Sequence, residues 1–429
     1  MTRLVHRLRR TGTRGATMEG MADARKLQAL PVPTGMRAPE ILPALRRTLD
    51  GDGPALLPVA ADEPTAARRT TEALGVDEPL EPGEDDPADP TALVIATSGS
   101  TGTPKGVLLS ASALRASAEA THRYLGGPGH WLLAMPAHHI AGIQVLIRSL
   151  VAGTAPTAVD TAGGFRPDAF ADAARRMPTT DGPRYTALVP TQLARLLDDG
   201  DTPGDSGAGA GLRALCAFDA VLLGGAATPP ALLRRARQAG VRVVTTYGMS
   251  ETAGGCVYDG VPMEGVSVHI DDGHSGDGSG VISLSGPMLA RGYRHLPDAT
   301  AFTDSWFRTG DLGRRNGERL EVLGRADDII VTGGVNVAPG PIERVLTEHA
   351  AVREACVLGV DDPEWGQAVA AAVVPADPDA PPPAEILRAA VREQAGSAAA
   401  PKRITFLRQL PLRGPGKPDR HALRQALGS

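Results

Sequence analysis

Aromatic residues are scarce in this sequence, and it has no excess of basic charge. Phe, Trp and Tyr together make up 3% of the 429 residues, too few for the stacking platforms that bind single-stranded nucleic acid. The formal net charge is −5, so the composition gives no basic surface for a nucleic-acid partner either. No apolar run approaches the roughly 20 residues that a membrane-spanning helix needs. The sequence therefore predicts a globular protein with no nucleic-acid partner and no membrane span.

Cysteine is also rare, and its positions form no recognisable site. The spacing of Cys216, Cys256 and Cys356 fits neither a disulfide framework nor a zinc site. A reducing compartment is the simplest interpretation, so we expect a cytoplasmic protein. A chain of this length exceeds one ordinary hydrophobic core, which predicts two or three domains.

The start of the chain is rich in arginine and contains no acidic residue before Glu19. A targeting peptide is one interpretation, but neither an apolar stretch nor a small-residue cleavage site follows. The alternative is a disordered tail over residues 1–20, or a true start at Met18 or Met21. The missing features favour this alternative. The arginines concerned are Arg3, Arg7, Arg9, Arg10 and Arg14.

Strands and helices alternate from residue 91 to about residue 325. The segment 78–90 before them is rich in Pro, Asp and Glu, which predicts an exposed loop. Thr228 and Pro229 predict a helix start, as N-cap and first helical residue. The rhythm is typical of layered α/β folds with mainly parallel sheets, so we predict an N-terminal domain over residues 21–325. The clearest predicted strands are residues 92–96, 220–223 and 241–246.

The pattern restarts after residues 325–328, where we place the domain boundary. The following hundred residues, a typical domain size, predict a small α+β domain over residues 326–429. Its predicted elements are helices at residues 341–349 and 384–394 and strands at residues 352–360, 368–374 and 403–410.

A glycine-rich segment, residues 97–106, follows the predicted strand at 92–96. Glycines allow the backbone to approach an anion closely, and Lys105 adds a positive charge for phosphate. The spacing is neither a Walker A loop nor a dinucleotide-binding fingerprint. Composition alone is equally compatible with a polar loop that binds nothing. The segment reads Thr97-Ser98-Gly99-Ser100-Thr101-Gly102-Thr103-Pro104-Lys105-Gly106.

This segment and four later motifs are similar to those of the acyl-adenylate-forming enzymes, which include acyl-CoA synthetases, firefly luciferase and nonribosomal peptide adenylation domains. The resemblance runs from about residue 91 to the C-terminus. It implies a large α/β domain and a small, mobile α+β lid. The four later motifs are Tyr247-Gly248-Met249-Ser250-Glu251-Thr252, Phe307-Arg308-Thr309-Gly310-Asp311-Leu312-Gly313, Gly324-Arg325-Ala326-Asp327-Asp328-Ile329-Ile330 with Pro339 and Glu343, and Gly414-Pro415-Gly416-Lys417.

The resemblance implies a two-step reaction that uses ATP, Mg²⁺ and coenzyme A. A carboxylate attacks the α-phosphate of ATP to give an acyl-AMP, and the acyl group is then transferred. Positioning and charge neutralisation dominate such chemistry.

The same resemblance assigns roles to the nucleotide-binding residues. Tyr247 lines the adenine, Ser250 hydrogen-bonds the α-phosphate, and Glu251 holds Mg²⁺, which prefers oxygen ligands. Asp311 takes the ribose hydroxyls, and Arg325 contacts ribose or phosphate. Read without the family, Glu251 and Asp311 are solvated surface acids. The remaining implied ATP-binding residues are Thr97, Ser98, Gly99, Ser100, Thr101, Gly102, Thr103, Lys105, Gly224, Gly225 and Gly248.

In the C-terminal domain the resemblance implies a catalytic lysine, a hinge and a CoA channel. Lys417 bridges the carboxylate and the α-phosphate in the first step. Asp327 is the hinge about which the domain rotates between steps, which brings Gly333 and Gly334 to the pantetheine channel. One departure from the family is the Pro339-Gly340-Pro341 sequence, where we expect an altered helix start.

The residues implied to bind the acid lie between the phosphate loop and the tyrosine motif. His139, in Pro136-Ala137-His138-His139-Ile140-Ala141-Gly142, would close the acyl pocket beside the reacting carboxylate. The wider stretch, with Gln144 and Arg148, looks most like the o-succinylbenzoate–CoA ligases of menaquinone biosynthesis. That substrate has a second carboxylate, and a guanidinium can receive it bidentately. The competing interpretations are a core histidine at 139 and a helix-surface arginine at 148.

Three other functions remain open at this point: a CoA ligase for another aryl or alkyl acid, an adenylation enzyme that loads a carrier protein, and a non-catalytic nucleotide sensor. No carrier module follows Lys417, which favours free CoA as the acceptor. The argument against a sensor is the retention of Lys105, Glu251, Asp311, Arg325 and Lys417. A homodimer is possible and is not indicated by any motif.

Overall fold

The computed structural model describes residues 25–98, 104–179, 182–200, 209–271, 278–297, 299–412 and 418–428. The predicted tail over residues 1–20 lies outside these ranges. So do Gly99, Ser100, Thr101, Gly102, Thr103 and Lys417 among the predicted site residues. No helix in the described ranges is long and apolar enough to cross a membrane.

The described elements follow one another in mixed α/β order. In chain order the strands are β1 Leu27–Val32, β2 Ala55–Ala60, β3 Thr91–Ser98, β4 Pro104–Ser110, β5 His130–Leu133, β6 Thr157–Ala158, β7 Arg184–Leu188, β8 Ala220–Leu223, β9 Val243–Met249, β10 Gly254–Tyr258, β11 Val261–Pro262, β12 Ser267–Asp271, β13 Ser279–Ser285, β14 Gly292–Tyr293, β15 Phe302–Thr303, β16 Trp306–Asn316, β17 Arg319–Arg325, β18 Ile330–Thr332, β19 Val335–Val337, β20 Val352–Asp362, β21 Gly366–Pro375 and β22 Arg403–Phe406. The α-helices are α1 Leu42–Leu49, α2 Pro64–Ala73, α3 Ala111–Leu125, α4 Ile140–Ala152, α5 Pro167–Arg176, α6 Pro190–Gly200, α7 Ala210–Cys216, α8 Pro230–Gln238, α9 Pro339–Glu348, α10 Ala384–Ala395 and α11 Arg420–Gly428. Short 3₁₀ helices lie at Gly35–Ile41, Ser250–Thr252, Ala326–Asp328 and Ser397–Ala399.

Two sheets with parallel cores form the N-terminal part, which confirms the predicted α/β class. The first has the order β1-β2-β3-β4-β14, with β1 to β3 parallel and the last two strands antiparallel. The second has the order β11-β10-β9-β8-β7-β5-β6, parallel from β6 to β9. Strands such as β8 are buried along their whole length because helices cover both faces, which explains their unbroken apolar sequence.

A third sheet was not foreseen from the sequence. It has the order β12-β13-β16-β15 with β17 beside β16, and its pairings are antiparallel. Its strand β13 alternates buried and half-buried residues, with Ile282 and Leu284 pointing into the core that also contains Ile95 and Trp131. This sheet matters for function because Asp311 lies on β16 and Arg325 ends β17.

The described part of the chain after Arg325 forms the small α+β unit that the sequence predicts. Its sheet has the order β19-β18-β21-β20, with β22 beside β21 and its core at Val357, Val373 and Leu387. Helix α9 contacts the third sheet through the Arg344–Glu321 ion pair. The boundary at residues 325–328 stays a prediction, although β17 ends and β18 begins on its two sides.

Two helix starts refine the sequence predictions. Helix α8 begins at Pro230 with Pro229 as its N-cap, so the predicted cap at Thr228 is wrong by one residue. Helix α9 begins at Pro339 itself, two residues before the predicted start at 341. Proline suits this position because the first helical N–H has no acceptor within the helix. Pro341, the proline that departs from the family pattern, lies in this first turn, where its missing N–H costs no hydrogen bond within the helix.

Candidate active site

The predicted phosphate loop lies between two antiparallel strands. Ser98 at the end of β3 is the register partner of Pro104 at the start of β4, and the undescribed loop residues come between them. The Thr97 hydroxyl donates to the carbonyl of Lys105 at 3.4 Å. The Lys105 side chain is exposed, and its Nζ lies 5.2 Å from the centre of the Tyr293 ring.

Glu251, the predicted magnesium ligand, lies in the 3₁₀ turn that follows β9. The Tyr293 hydroxyl donates to its Oε1 at 2.9 Å. Burial and the adjacent Glu251 carboxylate raise the pKa of Tyr293, so this hydroxyl keeps its proton. No described residue bonds Oε2, which leaves one hard oxygen ligand for Mg²⁺, and the site fits the ion in this respect. Ser250 is buried immediately before it.

The predicted adenine and ribose residues meet at the junction of the second and third sheets. The Tyr247 hydroxyl donates to Oδ2 of Asp311 at 2.9 Å, and Nη1 of Arg325 donates to Oδ1 at 3.2 Å. Asp311 and Arg325 are register partners on β16 and β17, which explains their contact. Burial and Asp311 raise the pKa of Tyr247. Each Asp311 oxygen keeps one lone pair, so the carboxylate can still accept from two ribose hydroxyls.

The three predicted nucleotide-binding glycines outside the phosphate loop also have structural reasons to be glycine. A side chain at Gly224 would clash with the hydroxyl of Thr246, and one at Gly248 would clash with the carbonyl of Gly254. Gly225 has a φ of +81°, which disfavours any other residue. Packing alone therefore explains these positions, and their contact with ATP stays a prediction.

Helix α4 carries the three residues predicted to bind the acid, at two different depths. His139 is the exposed N-cap residue, and its ring centre lies 4.1 Å from that of His138. Burial lowers the pKa of His138. Gln144 is fully buried and donates to the carbonyl of Ala253 at 2.8 Å, while its Oε1 has no partner among the described residues. Gln144 thus connects α4 to the turn that holds Glu251.

Arg148 is buried, so the helix-surface interpretation of this residue is wrong. Its guanidinium carbon lies 5.0 Å from the centre of the Trp131 ring, and Nη2 is 3.5 Å from the Tyr258 hydroxyl. Its Nε has no partner, and no acidic side chain among the described residues pairs with it. Burial lowers the Arg148 pKa, as expected for a cation without a counter-ion. We call Arg148, Trp131, Tyr258 and His122 the arginine cage.

His122 closes the arginine cage on the side of α3. The Trp131 ring N–H donates to its Nε2 at 3.3 Å, which requires that nitrogen to be unprotonated. Burial, with a contribution from the positive charge of Arg148, lowers the pKa of His122 to about 4. The cage therefore contains one cation and a neutral imidazole at pH 7.

The predicted hinge lies in a network of charges that reaches the end of the chain. Asp327 is exposed in the 3₁₀ turn Ala326–Asp328, where it lies 3.8 Å from Arg325. Its neighbour Asp328 pairs with Arg420 at 3.2 Å, and Arg420 also pairs with Glu343 at 3.0 Å. Arg420 is three residues beyond Lys417 in the sequence. The hinge and the helix that follows the predicted catalytic lysine are therefore joined directly.

The predicted CoA-channel glycines form the turn between β18 and β19, and one aromatic residue beside them was missed. Gly333 and Gly334 have φ values of +56° and +79°. Trp365, which is 42% exposed, covers Gly333 so closely that a side chain at 333 would clash with its ring. Lys402 Nζ lies 4.5 Å from the centre of the Trp365 ring. In a sequence with so few aromatic residues, the presence of Trp365 was the signal by which this residue could have been found.

Comparison with known proteins places these features in context. A family model described as AMP-binding enzyme matches residues 22–294, and one described as AMP-binding enzyme C-terminal domain matches residues 341–417. A probable 2-succinylbenzoate–CoA ligase of Mycobacterium tuberculosis is 45% identical over 401 residues, which cover 92% of this chain and 97% of that protein.

Solved structures with the same fold include two of particular interest. An amide bond synthetase from Marinactinospora thermotolerans is 28% identical, covers 94% of this chain and 90% of its own, and has a TM-score of 0.74. An o-succinylbenzoate CoA synthetase from Bacillus subtilis, in complex with its acyl-adenylate intermediate, is 25% identical, covers 95% and 90%, and has a TM-score of 0.69.

Proposed function

We propose that this chain, which belongs to the AMP-binding enzyme family, is a ligase that joins 2-succinylbenzoate to CoA and consumes ATP. In the first step a substrate carboxylate oxygen attacks the α-phosphate, and the bond to pyrophosphate breaks. In the second step the CoA sulfur attacks the acyl carbon, AMP leaves, and the thiol proton passes to solvent. The product places the enzyme in menaquinone biosynthesis.

The arginine cage is the observation that carries the choice of acid. An uncompensated buried cation costs several kcal/mol, so it persists only where something offsets the cost. A substrate with two carboxylates offers one to the reaction and the other to Arg148 as a counter-ion. Arg148 follows His139 by nine residues on α4, so one helix carries both residues. A monocarboxylic acid would leave the guanidinium unpaired.

The nucleotide is held, in this proposal, by residues of the first, second and third sheets. Residues 97–103 of the predicted phosphate loop and Lys105 bind the β- and γ-phosphates. Ser250 binds the α-phosphate. Tyr247, Asp311 and Arg325 bind the adenosine. Bound Mg²⁺ would neutralise phosphate charge, with Glu251 as its protein ligand.

The C-terminal domain supplies Lys417 in the first step and the CoA channel in the second. We propose that rotation at Asp327 moves Lys417 away from the substrate and brings the CoA channel to it. Gly333 and Gly334 border the pantetheine in this channel. The exposed Trp365 and Lys402 offer an aromatic face and a positive charge, which suit the adenine and phosphates of CoA.

Location and assembly complete the proposal. The cytoplasm suits the three free cysteines, Cys216, Cys256 and Cys356. A homodimer stays a prediction that light scattering on the purified protein will decide.

ATP–pyrophosphate exchange tests the proposed substrate. We expect exchange with 2-succinylbenzoate to exceed that with 4-oxo-4-phenylbutanoate, which lacks the ring carboxylate, with benzoate and with fatty acids. CoA then converts the adenylate to a thioester that mass spectrometry identifies. Faster exchange with a fatty acid or with benzoate would refute the substrate, and no exchange with any acid would favour a nucleotide sensor. Exchange without thioester formation would favour a carrier protein as the acceptor.

A further inference from the structure

Tyr293 joins two elements that the proposed reaction uses separately. It lies on β14, outside the five motifs, and is buried. Its hydroxyl donates to Oε1 of Glu251 at 2.9 Å, and its ring centre is 5.2 Å from Nζ of Lys105. The two contacts use different parts of the side chain. One tyrosine thus contacts both the predicted magnesium ligand and the lysine beside the predicted phosphate loop.

The backbone around Tyr293 is fixed on both sides against β4. The N–H of Arg291 donates to the carbonyl of Leu108 at 2.9 Å, and the N–H of Arg294 donates to the carbonyl of Gly106 at 2.8 Å. Tyr293 pairs in register with Val107, so its side chain lies on the same face as Lys105, two residues away. The strand pairing therefore sets the distance between the ring and the ammonium group.

Arg294 anchors this strand in the protein interior. Its side chain is fully buried and pairs with the buried Glu84 at 2.6 Å. It also donates to the carbonyls of Leu74 and Gly75 at 2.7 and 3.1 Å. Breaking such a pair would leave an uncompensated buried charge, which is strongly destabilising. Tyr293 therefore cannot shift without breaking a strongly held interaction beside it.

Glu251 is bonded to the same strand segment by its backbone and by its side chain. The N–H of Ala290 donates to the Glu251 carbonyl at 2.8 Å, while Tyr293 holds Oε1. The carboxylate is thereby turned so that Oε2, which no described residue bonds, is fully available to a ligand. Groups fixed in the productive orientation before binding lose little entropy when the ligand arrives.

We propose that Tyr293 is a positioning residue for adenylate formation, acting through both contacts. Its hydroxyl holds the Glu251 carboxylate in the orientation that binds Mg²⁺, and its ring face holds the Lys105 ammonium beside the phosphate loop. This role rests on the proposed ATP-dependent function, but it is independent of which acid is activated. The metal ligand and the phosphate lysine are thus set at a fixed separation before the nucleotide binds.

Two substitutions at Tyr293 separate the contacts. Tyr293→Phe removes the hydroxyl but keeps the ring over Lys105 and its packing against Phe302. A hydrogen bond to a charged group typically changes an equilibrium by about tenfold, so we expect a tenfold weaker affinity for the metal. Tyr293→Leu also removes the ring, and should weaken metal-free nucleotide binding as well.

Direct binding measurements test the role without turnover. The dissociation constant of Mn²⁺ is measured by electron paramagnetic resonance in the presence of α,β-methylene ATP, and nucleotide binding is measured separately with EDTA. For Tyr293→Phe we expect about tenfold weaker Mn²⁺ binding, with nucleotide binding in EDTA within twofold of the unsubstituted protein. Tyr185→Phe is the matched control, because it removes a buried hydroxyl that bonds only main-chain carbonyls.

A merely structural role predicts different results. In that case Tyr293→Phe lowers the melting temperature as Tyr185→Phe does and leaves the Mn²⁺ dissociation constant unchanged, which would overturn the proposal. If the role is positional, adding Tyr293→Phe to Glu251→Gln causes no further loss of Mn²⁺ affinity. Metal and nucleotide binding without exchange for any acid would refute the proposed function while still testing Tyr293. Absence of metal and nucleotide binding in the unsubstituted protein would refute both.

Discussion

Replacing Arg148 with methionine should stabilise the protein and cripple recognition of the acid at the same time. Methionine follows the aliphatic path of arginine and fills irregular space well, so the arginine cage loses a charge without gaining a cavity. Arg148 is 3% exposed, and its guanidinium has no acidic partner among the described residues. The single substitution Arg148→Met should thus raise the free energy of unfolding and lower the affinity for the acid.

The size of each effect follows from the contacts of Arg148. The desolvation cost of a buried ion is several kcal/mol, and the cation–π contact with Trp131 returns about 2 kcal/mol. The Tyr258 hydroxyl, at 3.5 Å, adds little. We therefore expect the free energy of unfolding to rise by about 1–3 kcal/mol in Arg148→Met. Loss of a buried charge pair with the substrate should cost about 3 kcal/mol, or about 100-fold in KM for 2-succinylbenzoate.

The assay combines unfolding in urea without ligands with ATP–pyrophosphate exchange. KM for ATP should stay within a few-fold, because the contacts of Arg148, with Trp131 and Tyr258, do not include a predicted nucleotide-binding residue. With 4-oxo-4-phenylbutanoate, which lacks the ring carboxylate, the substituted and unsubstituted proteins should differ little if that carboxylate binds Arg148. A less stable Arg148→Met protein with an unchanged KM for the acid would show that Arg148 is a structural residue, and our reasoning about the cage would be refuted.

Three further substitutions test other parts of the molecule. Lys417→Ala should slow pyrophosphate exchange by about 10²–10³-fold, while thioester formation from supplied acyl-AMP continues; equal loss of both steps would refute the assigned role. The pKa of His122 in the folded protein, about 4, lies below its unfolded value of 6.5, so unfolding takes up a proton between these values. The protein should therefore lose about 2 kcal/mol of unfolding free energy between pH 7 and pH 5, and His122→Gln should lose less; equal losses would remove His122 as the cause. Trp365→Ala should raise KM for CoA about tenfold without changing KM for ATP, with substitution of the exposed Ile386 by Ala as the control. If Trp365→Ala and the unsubstituted protein have the same KM for CoA, CoA does not stack on Trp365.

Motif residues can be assigned from the sequence because a local pattern defines them, and their roles stay predictions. Tyr247, Asp311 and Arg325 were assigned from three separate motifs, and the structure brings their side chains together. What the sequence could not supply was the strand register that places Asp311 opposite Arg325. Register depends on the pairing of distant segments, and no motif contains that information.

The burial of Arg148 had a signal that was overlooked. Helix α4 is apolar apart from Gln144, Arg148 and Ser149, and a helix with so few polar residues is expected to be buried. An arginine within it must then be a buried cation, whatever its partner. The two alternatives weighed from the sequence, a pocket residue and a surface residue, did not use this constraint.

Contacts between single residues that are far apart in the chain could not be predicted from the sequence. The acidic segment at 78–90 was predicted to be exposed, yet Glu84 is buried because it pairs with Arg294, 210 residues later. Tyr293 and Trp365 are isolated aromatic residues without periodicity around them. Their importance comes from the elements they touch, Glu251 in one case and Gly333 in the other.

Strand β14 also sets the order in which the protein can fold during synthesis. At a translation rate of about 5–20 residues per second, roughly 10–40 seconds separate the emergence of Glu84 from that of Arg294. Throughout that interval the edge of β4 has no partner strand, and an exposed apolar edge recruits other chains. The nascent polypeptide is thus most prone to aggregation before the ribosome reaches residue 292, and chaperones that shield strand edges should bind it then.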